Sequence, residues 1–360
     1  MEDLPPIVLT NVVGSHECHT QAQDPTQNPA QDSATHDLAT RDPGGAHDST
    51  AKDLTEDPVQ NGVHDPEGCK PSLSPKDAGT VIVLGILIGN GAGMLFRSEF
   101  LGSVFAMLPL VLLARHYTRK NGVPLEEAFP MKRVPLSRLL RPIPAFLCLK
   151  VVEIDILSLI DQLSGGRLTS FGELLPSASS GMSFIEVLIV TAIVAPIVEE
   201  LVFRGFSYRC FTDWNIGWAA IFPSLVFACF HHPLGMPSAF MAGVFFSISA
   251  ARERSLRASM LVHAVANGAL TVFSNVDERL SASGLVTLLV FIHVLVVVIV
   301  VMDRRYIKGL WLEFRSLWQQ FVEKPQLGFR IRILLKHWSY RILLLVIVIT
   351  ALTLAAIPFL

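Results

Sequence analysis

Runs of apolar residues long enough to cross a bilayer recur from residue 79 to the end of the chain, and they leave few fold classes open. About 20 such residues in a helix span the hydrocarbon of a membrane. Candidates occur near 79–96, 99–115, 143–163, 183–203, 216–232, 237–251, 258–273, 282–302 and 341–360. Backbone polar groups find no water in hydrocarbon, so the open-chain solution is a helix. The pattern predicts an all-α, polytopic transmembrane bundle of about 8–9 spans. The third run is the weakest, interrupted by Lys150, Glu153, Asp155 and Asp161, and the runs at 237–251 and 258–273 are short.

Charge is unevenly spread along the chain. Only 17% of the 360 residues are charged and 51% are hydrophobic, with mean hydropathy +0.47. Residues 1–77 hold 14 acidic and 4 basic residues, a net of −10, leaving +8 on the remainder against the chain's −2. This acidic tail has too few large apolar residues to offset chain entropy, and disorder is expected there. Its HD dipeptides, at His36-Asp37, His47-Asp48 and His64-Asp65, read as loose low-complexity repetition. Met1-Glu2-Asp3 opens no basic n-region or apolar core, so no cleavable signal is expected. Cys18, Cys69, Cys148, Cys210 and Cys229 lack CxxC spacing and read as small apolar residues.

Basic residues cluster at 115–141, 252–257 and 303–341, whereas 164–182 and 274–281 are nearly free of them. The positive-inside rule then places those three segments and the N-terminal tail in the cytoplasm, with the C-terminus outside. Domain divisions follow: a tail over 1–77, N-terminal spans and a basic loop over 78–178, a helical core over 179–275, and C-terminal spans over 276–360. Gly85, Gly89 and Gly93 mark a face for close helix packing. Tyr306, Leu310, Phe314, Leu317 and Phe321 form one apolar stripe, expected to lie on the inner membrane surface.

Ionisable groups inside spans are costly and usually functional. Glu199 and Glu200 follow a long apolar run. Glu200 and Arg204 stand four apart and can pair, while Glu199 points about 100° away and is free to meet another partner. Pro196, just upstream, can bend the helix or free a carbonyl. Phe227 and His231 share a face, as do His263 and Asn267. His293, alone in the eighth run, reads as an interhelical hydrogen-bonder. His232 beside His231 lacks the phenylalanine four residues earlier, Ala228 standing there. Three polar pairs on successive helices imply one shared cavity, since mutual satisfaction lowers the cost of burial.

In order and spacing, Glu199-Glu200-Leu201-Val202-Phe203-Arg204, Phe227-Ala228-Cys229-Phe230-His231 and His263-Ala264-Val265-Ala266-Asn267 resemble the EExxxR, FxxxH and HxxxN motifs of the CPBP family. This is the CAAX-protease and bacteriocin-processing group, also called Abi or Rce1-like. Gly205, Gly243 and Arg254-Ser255-Leu256 add lesser similarities, and the resemblance covers roughly 183–272. It implies an intramembrane endopeptidase acting on prenylated CaaX-type proteins, leader peptides or other membrane-associated proteins. By the same resemblance Glu199 activates a water with help from His231, Glu200 and Arg204 position that base, and His263 and Asn267 stabilise the oxyanion. A metal-free mechanism is expected, zinc being the alternative, and no HExxH helix occurs. No GxSG or GxGD motif marks another intramembrane chemistry. Two other readings stay open: a non-proteolytic immunity or scaffold protein of the family, and a proton-coupled transporter, whose usual inverted repeats are not evident. The expected setting is a bacterial cell membrane, with lipid and a membrane-associated substrate as partners and no nucleic acid. One tension stands, because His231 falls about 22 Å into its span while Glu199 ends its own.

Overall fold

The computed structural model describes residues 71–163, 181–231, 235–277, 281–323 and 326–356. Within these residues the chain is helical and has no strand, only an isolated bridge between Met131 and Ser255. The expectations for the acidic tail up to residue 70, Cys18, Cys69, His232 and most of the 164–182 loop fall outside the described residues.

The first helix, α1 (Pro75–Gly93), starts where the Ser74 backbone N–H donates to the Asp77 carboxylate at 2.9 Å and Pro75 presets the first turn. Helix α2 (Glu99–Lys120) carries an acid in its first turn and Arg119 and Lys120 in its last, matching the helix dipole. The two pack backbone to backbone: a Cβ on Gly89 would strike the Ala106 carbonyl, and one on Gly93 would meet the Gly102 carbonyl at 3.0 Å. Short helices α3 (Leu125–Ala128) and α4 (Leu136–Leu140) lead into α5 (Pro142–Leu163).

From Phe184 to Phe211 the backbone is one uninterrupted rod of alternating pitch. Its segments are α6 (Phe184–Ile189), π1 (Val190–Val194), α7 (Ala195–Glu199), π2 (Glu200–Ser207) and α8 (Tyr208–Phe211). Beyond it lie α9 (Ile216–Ala228), α10 (Met236–Glu253), α11 (Leu256–Asp277), α12 (Ala282–Met302), α13 (Arg304–Val322), α14 (Gln326–Lys336) and α15 (Trp338–Ala356). Every apolar run marked in the sequence overlaps one of these helices. Among the described residues, three helical stretches combine the length and apolarity needed to cross a membrane: Glu99–Lys120, Leu256–Asn275 and Ser283–Met302; Ile216–Ala228 and Trp338–Val348 are apolar but shorter. The chain is thus an all-α membrane protein.

The polar residues of α5 are used in pairs. Lys150 Nζ donates to Glu153 Oε2 at 2.9 Å, and Ser238 Oγ on α10 donates to the same oxygen at 2.7 Å. Asp155 meets His293 Nε2 on α12 at 3.0 Å, so His293 joins two helices. The three basic segments share one end of the protein. Leu256 N donates to Pro130 O at 2.8 Å, Ser255 Oγ donates to Lys132 O at 2.8 Å, and Arg252 Nη2 pairs with Glu313 at 2.8 Å. The stripe on α13 packs against α9. Leu310, Leu317 and Phe321 are buried, and the Phe321 ring packs at a tilt against Trp218 of α9, centroids 4.6 Å apart. Trp311 and Trp318 stay exposed.

Candidate active site

The tension over depth resolves through the length of the rod. Glu199 does not end its helix, because the chain stays helical to Phe211, roughly 18 Å farther on. The turn at 212–215 then sends α9 back alongside the rod. Phe227 on α9 comes to lie beside Phe203 of π2, and their rings meet edge to face at 5.3 Å. His231, just beyond the end of α9, therefore reaches the level of the two glutamates.

Four of the predicted residues touch directly. Glu200 is fully buried, and its Oε1 accepts from Arg204 Nη1 at 3.0 Å and lies 3.0 Å from His263 Nδ1. On the other edge of the same imidazole, His263 Nε2 lies 3.5 Å from Glu199 Oε2. The imidazole bridges two carboxylates of unequal access: the Glu199 side chain is 27% exposed and that of Glu200 is 0%. Glu200 is thereby consumed by its partners, and Glu199 keeps an open side.

Aromatic rings hold this cluster in place. The Arg204 guanidinium lies over Phe227 at 4.3 Å and near Phe246 at 5.2 Å, and Phe246 stacks on His263 at 4.5 Å. Arg204 Nε also donates to the Gly243 carbonyl at 3.4 Å. A Cβ on Gly243 would come within 2.9 Å of Arg204 Nη2, so the glycine makes room for the arginine. His231 is less tightly drawn in. Its Nδ1 is 3.0 Å from Phe227 O, its ring packs on Phe227 at 4.6 Å, and Phe227 in turn meets His263 edge-on at 6.0 Å. With Nδ1–H donated to that carbonyl, Nε2 carries a lone pair. The His231 ring is exposed, and among the described residues no hydrogen bond joins it to Glu199.

Asn267 stands one turn beyond His263 on α11. Its Nδ2 donates to Thr191 O in π1 at 3.0 Å. That carbonyl is the one freed by Pro196. Ala195 N–H, its ordinary α-helical partner, donates to Val190 O instead, and Pro196, the partner a π turn would use, has no N–H. Thr271, a further turn along α11 and fully buried, places its hydroxyl 3.1 Å from that of Thr191. Sequence reasoning missed Phe246, Thr191 and Thr271. Phe246 carried no signal, whereas Thr271 continues the four-residue spacing of His263 and Asn267, and Thr191 lies five residues before Pro196.

Glu200 Oε1 is committed to Arg204 and His263, and the buried Oε2 of the same carboxylate has no hydrogen-bond partner among the described residues. No set of three or more His, Cys, Asp or Glu side chains among the described residues is placed to hold a metal ion. Cys148 and Cys210 are buried free thiols away from the cluster.

Residues 181–269, about a quarter of the chain, match the family model described as type II CAAX prenyl endopeptidase Rce1-like. The match spans the rod, α9, α10 and the first half of α11, which hold all the residues of the cluster. No curated protein and no solved structure matched the chain.

Proposed function

From the premise that this membrane protein carries an Rce1-like protease domain, we propose that it is an intramembrane endopeptidase that hydrolyses peptide bonds through a glutamate-activated water. The observation that carries the reading is the division of labour between adjacent carboxylates: one sealed in an ion pair, the other open on one side and facing an imidazole. A buried general base must reach water, and Glu199 is the carboxylate with that access.

In this mechanism Glu199 takes a proton from a water whose oxygen attacks the carbonyl carbon of the scissile bond. His231, with its Nε2 lone pair, assists in orienting the water. The negative charge that develops on the carbonyl oxygen is met by the second N–H of the Asn267 amide, the first being spent on Thr191 O, and by His263 Nε2–H in the doubly protonated ring, whose Nδ1–H is directed at Glu200. Glu200 and Arg204 hold His263, Nδ1–H to carboxylate, and the pair compensates its own charges. Collapse of the tetrahedral intermediate breaks the C–N bond, and the proton held by Glu199 passes to the leaving amine. No step uses a metal.

The substrate class is a membrane-associated protein: a prenylated CaaX-type chain or a leader peptide. The protein crosses the membrane several times, with its shared basic end and the N-terminus in the cytoplasm of a bacterial cell. Hydrolysis of a membrane-peptide library by the purified protein, beside Glu199→Ala and His231→Ala, tests the assignment. Cleavage by the wild type and loss in Glu199→Ala are expected; equal cleavage by both would reject it. Activity that survives dialysis against a chelator is the expected result for a metal-free mechanism, and a zinc-reversible loss would overturn that part.

A further inference from the structure

We infer that Thr191 and Thr271 are positioning residues for Asn267, made possible by Pro196; this rests on the reading of Asn267 as an oxyanion donor. An asparagine amide rotates about two side-chain bonds, and its value as a donor depends on where its N–H groups point. Here one N–H is anchored on Thr191 O at 3.0 Å, which fixes the plane of the amide and aims the second N–H.

The anchor exists because three features coincide. The π1 turn diverts Ala195 N–H to Val190 O. Pro196 supplies no N–H to replace it, and a carbonyl left without a donor between packed helices is unfavourable, so Thr191 O is a strong acceptor for a side chain. The Thr191 side chain then locks the turn to α11. Its hydroxyl donates to Val187 O at 2.9 Å and accepts from Thr271 Oγ1 at 3.1 Å. Asn267 and Thr271, four apart on one face of α11, thus grip the carbonyl and the hydroxyl of a single residue on the rod. A shift of π1 relative to α11 would break both contacts together.

The test uses the full-length protein and the library peptide that the wild type cleaves. Thr271→Val removes the hydroxyl and keeps the shape. It is expected to lower kcat about tenfold with KM unchanged, less than the ~10²–10³ that follows loss of an oxyanion donor. Thr271→Ser should restore kcat. Pro196→Ala offers an N–H that competes for Thr191 O and should lower kcat in the same way. In an Asn267→Ala background, Thr271→Val should cost nothing further, because nothing is left to aim. A wild-type kcat in both Thr271→Val and Pro196→Ala would overturn the inference, as would the same loss with and without Asn267. Should Thr271→Val fail to fold by thermal melting, Thr191→Val removes the other hydroxyl and is read by the same criteria. Absence of Glu199-dependent cleavage in the wild type removes the proposed function and this inference with it. Intact wild-type cleavage with indifferent threonine variants removes the inference alone.

Discussion

A helix turns about 100° per residue, so neighbouring glutamates face different surroundings. Glu200 looks inward to Arg204 and His263, and Glu199 looks along the open edge of the same imidazole. Their isosteric amides should therefore fail in different ways. Glu199→Gln is expected to keep the wild-type melting temperature while kcat falls by ~10² or more, the usual worth of a general base. Glu200→Gln leaves the buried Arg204 charge without its carboxylate. Breaking such a pair costs about 3–5 kcal/mol, so a large drop in melting temperature should accompany the loss of turnover. Equal melting temperatures for the two variants would contradict the distinction. Gly243 belongs at this scale too. Its missing side chain admits Arg204, with Ser224 Cβ only 2.8 Å from where a Cβ would stand. Gly243→Ala should destabilise by about 1–3 kcal/mol, as overpacking does, and lower kcat by displacing Arg204, which melting and single-turnover assays would show.

Among the elements, the rod from Phe184 to Phe211 matters most because two π segments interrupt its α-helical pitch. π turns inside α-helices are uncommon and tend to sit at functional sites. Here the first precedes Pro196 and the second begins at Glu200, so the alternation brackets the carboxylates. The α1–α2 pair does a plainer job through close backbone contact. Gly89→Val would drive a branched side chain into the Ala106 carbonyl. Separation of the two helices is the expected outcome, with a loss of several kcal/mol in stability measured by thermal melting in detergent. A wild-type melting temperature would show that the contact tolerates slack.

For the whole molecule, the polar contacts divide by location. One end ties three basic segments together through Met131–Ser255, Arg252–Glu313 and Ser255–Lys132. The middle holds the Glu–Arg–His cluster together with the Lys150–Glu153–Ser238 contacts. Removal of residues 1–70 is expected to leave kcat and KM of the purified enzyme unchanged; a drop in turnover of tenfold or more would give the tail a catalytic part.

Much of this was readable in one dimension. Apolar runs broken by rare charges specified a helical membrane protein, since hydrocarbon admits no other open-chain backbone. The four-residue spacings of Glu200–Arg204, Phe227–His231 and His263–Asn267 named the polar residues, because such spacing puts two side chains on one face. Partnership across helices was not readable, for spacing says nothing of which faces meet. Packing alone set His263 between Glu199 and Glu200, placed Phe246 on the imidazole, and turned the α13 stripe onto α9. It also extended the rod to Phe211, which brought His231 level with the glutamates. A π turn and the proline that follows it each leave a mark only through the hydrogen bonds they withhold. The carbonyl they free at Thr191 acquired its partner when α11 came within 3.0 Å.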